Sequence, residues 1–105
     1  MSLAVPPAMS VAPAVSRDAI TAFEASLRQD GFVEIETKAI ADHHTAEHGH
    51  HFAVRILVLN GAFALTRAGA QRVYQPGETF TVAEAELHAE DIGADGASYV
   101  VGRKY

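Results

Sequence analysis

The rhythm of apolar and polar positions changes near residue 31. Before it, Ile20, Phe23 and Leu27 recur at the spacing that places side chains on one face of a helix. Ser16 suits an N-cap, Asp18 favours the positive end of a helix, and Gly31 is placed to end it. These signals predict a helix over 17–29, lying as a lid or flank on a sheet. After Gly31 the segments shorten and read as strands. Phe32–Lys38 alternates apolar and charged residues, with Val33 and Ile35 set against Glu34 and Glu36. Phe52–Leu59 is a longer apolar strand, and Asn60-Gly61 is a two-residue hairpin signal leading into Ala62–Thr66. Ala68-Gly69, Pro76-Gly77 and Asp95-Gly96 mark further turns, separating Gln71–Tyr74, Thr79–Val82, Leu87–Ile92 and Ala97–Gly102. Roughly seven short strands divided by turns predict a mainly β domain, an antiparallel sandwich or barrel.

Phe52–Leu59 is apolar on both parities, Ile56 and Val58 on one face, Leu57 and Leu59 on the other. A strand of that kind belongs in a sheet covered on both sides. The N-terminal helix or a second subunit would supply the outer cover. Residues 1–16 carry no charge and include Pro6, Pro7 and Pro13, so they read as a flexible arm rather than a secretory signal, with residues 17–105 as the folded domain.

At 105 residues the length fits one domain with a single modest core. Eight basic residues against thirteen acidic ones leave a formal net charge of −5. That sign argues against nucleic acid and anionic membranes as partners. The absence of cysteine excludes disulfides, thiolate nucleophiles and Cys-type metal sites, and a cytoplasmic location is the default expectation. No apolar run approaches the roughly 18 residues that a membrane span needs. No nucleophile elbow, P-loop or dinucleotide fingerprint appears.

Six histidines are present, five of them between His43 and His51. Histidine is the commonest metal ligand. His48 and His50, two residues apart and leading into a strand, would point to the same face and chelate one ion together. His51 would point the other way. His43 and His44 read as loop residues free to reach many places. The alternative reading of the cluster is a solvated His-rich loop.

Two motifs in order resemble the small single-domain members of the cupin superfamily. The first is His48-Gly49-His50 followed by the strand that ends at Asn60-Gly61; the second is Pro76-Gly77-Glu78-Thr79-Phe80, followed by Leu87-His88. The resemblance covers roughly residues 32–102. It implies a jelly-roll β-barrel and a homodimer. It also implies that His48, His50 and His88 hold one divalent metal (Zn, Fe, Ni, Mn, Cu or Co) inside the barrel, with positions left for water or substrate. The chain departs from the family pattern in three places. Val54 stands where the motif places a Glu ligand, with Arg55 beside it. Ala83-Glu84-Ala85 replaces a P-x-G turn, and Ile92 stands where an Asn often follows the third His.

Glu90 shares strand parity with His88 and is the candidate catalytic carboxylate. It would serve as fourth ligand, acceptor behind a ligand, or general base, unless it is a surface carboxylate or a partner for Arg55. Arg55 faces away from the site under strict alternation, and would enter it only through a bulge. Phe52, Val54, Ile56, Phe63, Phe80 and Tyr99 read as core or pocket wall; Tyr74 and Tyr105 read as interface or surface. Two functions follow. One is a metal-dependent enzyme on a small molecule, of dioxygenase or isomerase/lyase type. The other is a non-catalytic small-molecule or metal binding or sensing module, with or without the metal.

Overall fold

The computed structural model describes residues 15–105. Most of the arm expected over 1–16 lies outside the described residues; Val15 and Ser16 are the approach to the helix. Helix α1 spans Arg17–Gln29, as its sequence signals require. The Ser16 side chain accepts a hydrogen bond from the Ala19 amide at 3.1 Å. At the other end the Phe32 amide donates to the Leu27 carbonyl and the Gly31 amide to that of Arg28. These paired bonds, with Gly31 at φ +87°, form a Schellman stop.

Eight strands follow: β1 (Val33–Ile40), β2 (His43–His44), β3 (Ala53–Gly61), β4 (Phe63–Arg67), β5 (Ala70–Tyr74), β6 (Thr79–Val82), β7 (Ala89–Ile92) and β8 (Ala97–Lys104). They form two antiparallel four-stranded sheets, ordered β1-β8-β3-β6 and β2-β7-β4-β5. The architecture is the mainly β jelly roll that was expected. It is built as two facing sheets, and among the described residues no continuous ladder closes them into a barrel.

Side chains from both sheets, among them Ile56, Phe63, Leu65, Phe80, Ile92 and Tyr99, fill one core between them. Phe63 sits edge-on to Phe80 and Tyr99, with ring centroids 5.2 and 5.3 Å away. The other face of β3 and β8 is covered by α1, where Leu27 and Phe32 pack on Leu57, Leu59 and Val100. Gly102 permits this close approach, since a Cβ there would lie 3.0 Å from Leu27 and 3.3 Å from Phe32. The helix therefore accounts for the doubly apolar β3, and that strand gives no argument for a second subunit. Among the described residues no helix is long and apolar enough to cross a membrane.

Four expectations need correction. Asn60 and Gly61 are not a hairpin. They are the last residues of β3, paired with Ser98 and Ala97, and the chain then passes through Ala62 into the other sheet. Gly61, at φ +78°, is required because the backbone of Gly96 and Ala97 occupies the place of a Cβ. His43 and His44 are not loop residues; they pair with Ile92 and Asp91 of β7. Tyr74 is not at the surface. It is buried, with its ring centroid 4.5 Å from that of Phe80. Val33 is exposed, because an irregularity at Glu34 (φ +53°) breaks the alternation of β1.

Candidate metal centre

His48 lies in the segment before β3 and His88 just before β7, and backbone pairing brings them together. Each donates its amide hydrogen to the carbonyl of the other at 2.9 Å. Residues that exchange both hydrogen bonds in an antiparallel bridge have side chains on the same face. The ring centroids of His48 and His88 are accordingly 4.4 Å apart. His50 completes the group at 4.8 Å from His48 and 5.3 Å from His88. Gly49 allows the approach, because a Cβ there would come within 3.2 Å of the Ala85 carbonyl oxygen. The turn at Ala83–Glu86 is tied to this segment by the Ala85 amide, which donates to the His50 carbonyl at 2.8 Å. Ala85 takes φ +65°, a left-handed conformation at the place where the motif has glycine.

Two of the rings are oriented by the same device. His48 Nδ1 lies 2.8 Å from the Ala46 carbonyl, and His88 Nδ1 lies 3.0 Å from that of Glu86. A carbonyl only accepts, so each Nδ1 carries the hydrogen and each Nε2 lone pair is left to face inward. His88 has no exposed surface, and its Nε2 is buried without a hydrogen-bond partner. The Glu90 Oε2 atom is 3.3 Å from that nitrogen, within ion-pair range but without hydrogen-bond geometry. Two facing lone-pair acceptors inside a protein are costly unless a cation lies between them. One donor atom from each of His48, His50, His88 and Glu90 falls within 4.8 Å of the others. Three imidazoles and a carboxylate suit Zn, Fe, Mn, Ni or Cu, so the donor set fits a divalent metal.

Burial lowers the pKa of His50, helped by the proximity of His48 and His88, so its ring stays neutral at pH 7. That is the form in which imidazole coordinates. Its ring also stacks on Phe52, with centroids 4.9 Å apart and planes 14° from parallel.

Glu90 faces two ways. While Oε2 is directed at His88, Oε1 lies 3.0 Å from Nε2 of His43, a ring that reaches solvent. Thr45 Oγ1 accepts from the Glu90 amide at 2.9 Å and steadies this stretch of β7. The sequence reading did not place His43 here. Its two-residue strand is recognisable only through its partner β7. His44 points elsewhere and pairs with Asp91 at 2.9 Å, and His51 is exposed. Arg55 follows strict alternation. Its guanidinium bonds Asp30 at 2.7 Å and lies 4.5 Å over the Phe32 ring, on the helix side of the sheet. It is neither a ligand nor a partner of Glu90.

A cavity of about 290 Å³ opens beside the cluster. His50, His43 and Glu90 form its polar end. Val54, at the position of the family's Glu, forms apolar wall together with Phe52, Ile56, Phe63 and Tyr99. Lys38 and Arg103 also line it, and the sequence reading singled out neither. The parity of Ile40 on β1 and of Tyr99 and Val101 on β8 is the signal that would have found them.

Comparison with solved structures supports the fold. A cupin-2 domain protein from Shewanella frigidimarina matches with TM-score 0.59 and 11% identity, over 68% of this chain and 69% of that one. The EutQ protein of Clostridium difficile matches with TM-score 0.61 and 9% identity, over 74% and 60% of the two chains. The polyketide cyclase RemF of Streptomyces resistomycificus matches with TM-score 0.56 and 22% identity, again over 74% and 60%. The chain thus spans 60% of the length of the latter two proteins. No family model matches the sequence, and no curated protein matches it. At these identities the likeness is one of fold alone, that of a small cupin-like jelly roll.

Proposed function

We propose that this domain is a metal-dependent enzyme acting on a small organic molecule, with His48, His50 and His88 as metal ligands through Nε2. Glu90, beside them, is the acid–base group. The observation that carries the reading is the buried, partnerless Nε2 of His88, aimed at the point where His48, His50 and Glu90 also converge. When bound, the metal supplies Lewis acidity toward a substrate oxygen, or redox chemistry if it is iron.

The chain's own residues supply the rest. Phe52 stacks on His50 and holds its ring in place. The apolar walls exclude water from the reacting end of the substrate. Glu90 accepts or returns a proton at Oε2, and His43 at Oε1 connects it to solvent. This His43–Glu90 contact favours catalysis over a binding or sensing role, since a passive site has no need of a path for protons. Dioxygenase and isomerase/lyase chemistry are the two candidate reaction classes.

Metal analysis of tag-free protein tests the proposal. Wild-type protein is expected to hold about one metal ion per chain, and His88→Ala to lose it with the fold intact by circular dichroism. Glu90→Gln is expected to keep the metal and lose turnover by roughly 10²-fold or more. Unchanged metal content in His88→Ala would overturn the assignment.

A further inference from the structure

Cross-strand pairing places Lys38 of β1 directly opposite Tyr99 of β8, so the two side chains share the inner face of the sheet. Both line the cavity beside the histidine cluster. Of the charged groups lining it, Arg103 is held by Glu34 at 2.8 Å and lies 3.8 Å from Glu36, while Glu90 is hydrogen-bonded to His43 at 3.0 Å. Lys38 has no carboxylate within 4.0 Å among the described residues. The Tyr99 hydroxyl makes no hydrogen bond among them either, although the residue is only 7% exposed. Lys38 and Tyr99, opposite one another across the strands and unpartnered among the described residues, thus line the cavity alongside its apolar wall. On a chain of net charge −5, Lys38 is a cation left without an ion-pair partner among the described residues.

We infer that Lys38 and Tyr99 form a clamp for the carboxylate of a small organic acid whose apolar body fills the cavity. A single unmatched cation calls for a single negative charge. The walls of Phe52, Val54, Ile56 and Phe63 call for a hydrocarbon body rather than a polyanion. At about 30 Å³ per water-sized unit, 290 Å³ admits roughly ten heavy atoms, the size of an aromatic or short aliphatic monocarboxylic acid. Burial, with Glu90 and Glu36 nearby, raises the Tyr99 pKa, so the phenol remains a neutral donor. The inference rests on the metal-centre reading for its orientation: the carboxylate lies against Lys38 and the far end of the acid against the metal.

Calorimetric titration of the metal-loaded protein with benzoate, with hexanoate, and with benzamide as the neutral counterpart of benzoate tests the clamp. One of the two acids is expected to bind at least about 10-fold more tightly than benzamide, as a charge-assisted hydrogen bond requires. Lys38→Met should remove that advantage, Lys38→Arg should keep most of it, and Tyr99→Phe should weaken it severalfold. All three variants should keep the wild-type metal content and circular dichroism spectrum. Equal binding of acid and amide, failure of both acids to bind at millimolar concentration, or full retention of binding in Lys38→Met would overturn the inference, and with metal content intact would leave the metal centre standing. Preference for inorganic phosphate over both acids would also overturn it. Lys38-dependent acid binding by a protein that retains no metal would support the clamp and defeat the metal centre, so the two failures are distinguishable.

Discussion

The two faces of the β1-β8-β3-β6 sheet are finished in different ways. On the outer face α1 covers an apolar patch, and Leu27 and Val100 have no exposed surface. On the inner face the second sheet packs tightly over Phe63, Leu65 and Ile92, but the packing gives way at the end bearing the histidines. There the groups are titratable, hydrogen-bonded to backbone, and set around an opening. One face contributes burial without chemistry. The other gives up packing density so that donor atoms can converge on a point. Stability and function are thereby assigned to opposite sides of the same strands, with Leu57 and Leu59 under the helix and Val54 and Ile56 at the cavity.

That division makes predictions that differ by face. The largest effect is expected at the outer one. Leu27→Ala should cost about 2–5 kcal/mol in denaturant unfolding, through lost burial and the void left under α1. Metal content at low denaturant should not change. A loss of metal together with stability would show that the faces are not independent.

His88 is equally buried, yet His88→Leu should shift metal-free stability by less than about 1 kcal/mol. Removing a buried nitrogen that has no partner is favourable, and this offsets the lost bond to the Glu86 carbonyl. A destabilisation as large as that of Leu27→Ala would mean that the histidine is a packing residue.

The smallest effect concerns the rim between the faces. The Tyr105 hydroxyl donates to Glu34 at 2.8 Å, Arg103 bonds the same carboxylate at 2.8 Å, and the Tyr105 ring packs 5.3 Å from Phe52. The hydrogen bond from Tyr105, then that from Arg103, lowers the Glu34 pKa. A carboxylate of lowered pKa stabilises the native state above its unfolded pKa, and that contribution is lost as pH falls through the folded value. NMR titration should therefore place Glu34 below the ordinary Glu value in wild type and bring it back toward that value in Tyr105→Phe. An unchanged midpoint in the variant would remove Tyr105 from the rim contact.

Much of the fold was legible because its signals are local. Ser16 and the Gly31–Phe32 stop act through bonds to residues three to five positions away, and Asp18 acts on the first turn of its own helix, so the 17–29 helix could be bounded from sequence. Ala68-Gly69 likewise makes the two-residue turn between β4 and β5, with φ +52° and +77°. The resemblance supplied His48, His50 and His88, and strand parity supplied Glu90. The misreadings share one cause. Asn60-Gly61 has turn-forming residues, but whether the next strand returns along the same sheet or leaves for the other depends on the Gly96–Ala97 backbone. Tyr74 ends an exposed edge strand and looks like surface until Phe80 is brought against it. His43 acquires a strand and a partner only from β7.

By itself the chain's order of residues determined where the backbone turns, which faces are apolar, and which side chains own metal-binding nitrogens. Such properties are decided by φ preferences, period and chemistry within a few positions. Tertiary structure alone decided that His48 and His88 exchange backbone hydrogen bonds, that Glu90 lies between His88 and His43, and that Lys38 and Tyr99 face the same cavity. Those juxtapositions join residues some 40 to 60 positions apart. Only the register of paired strands, set by burying both faces of one sheet at once, brings such distant positions to a common point.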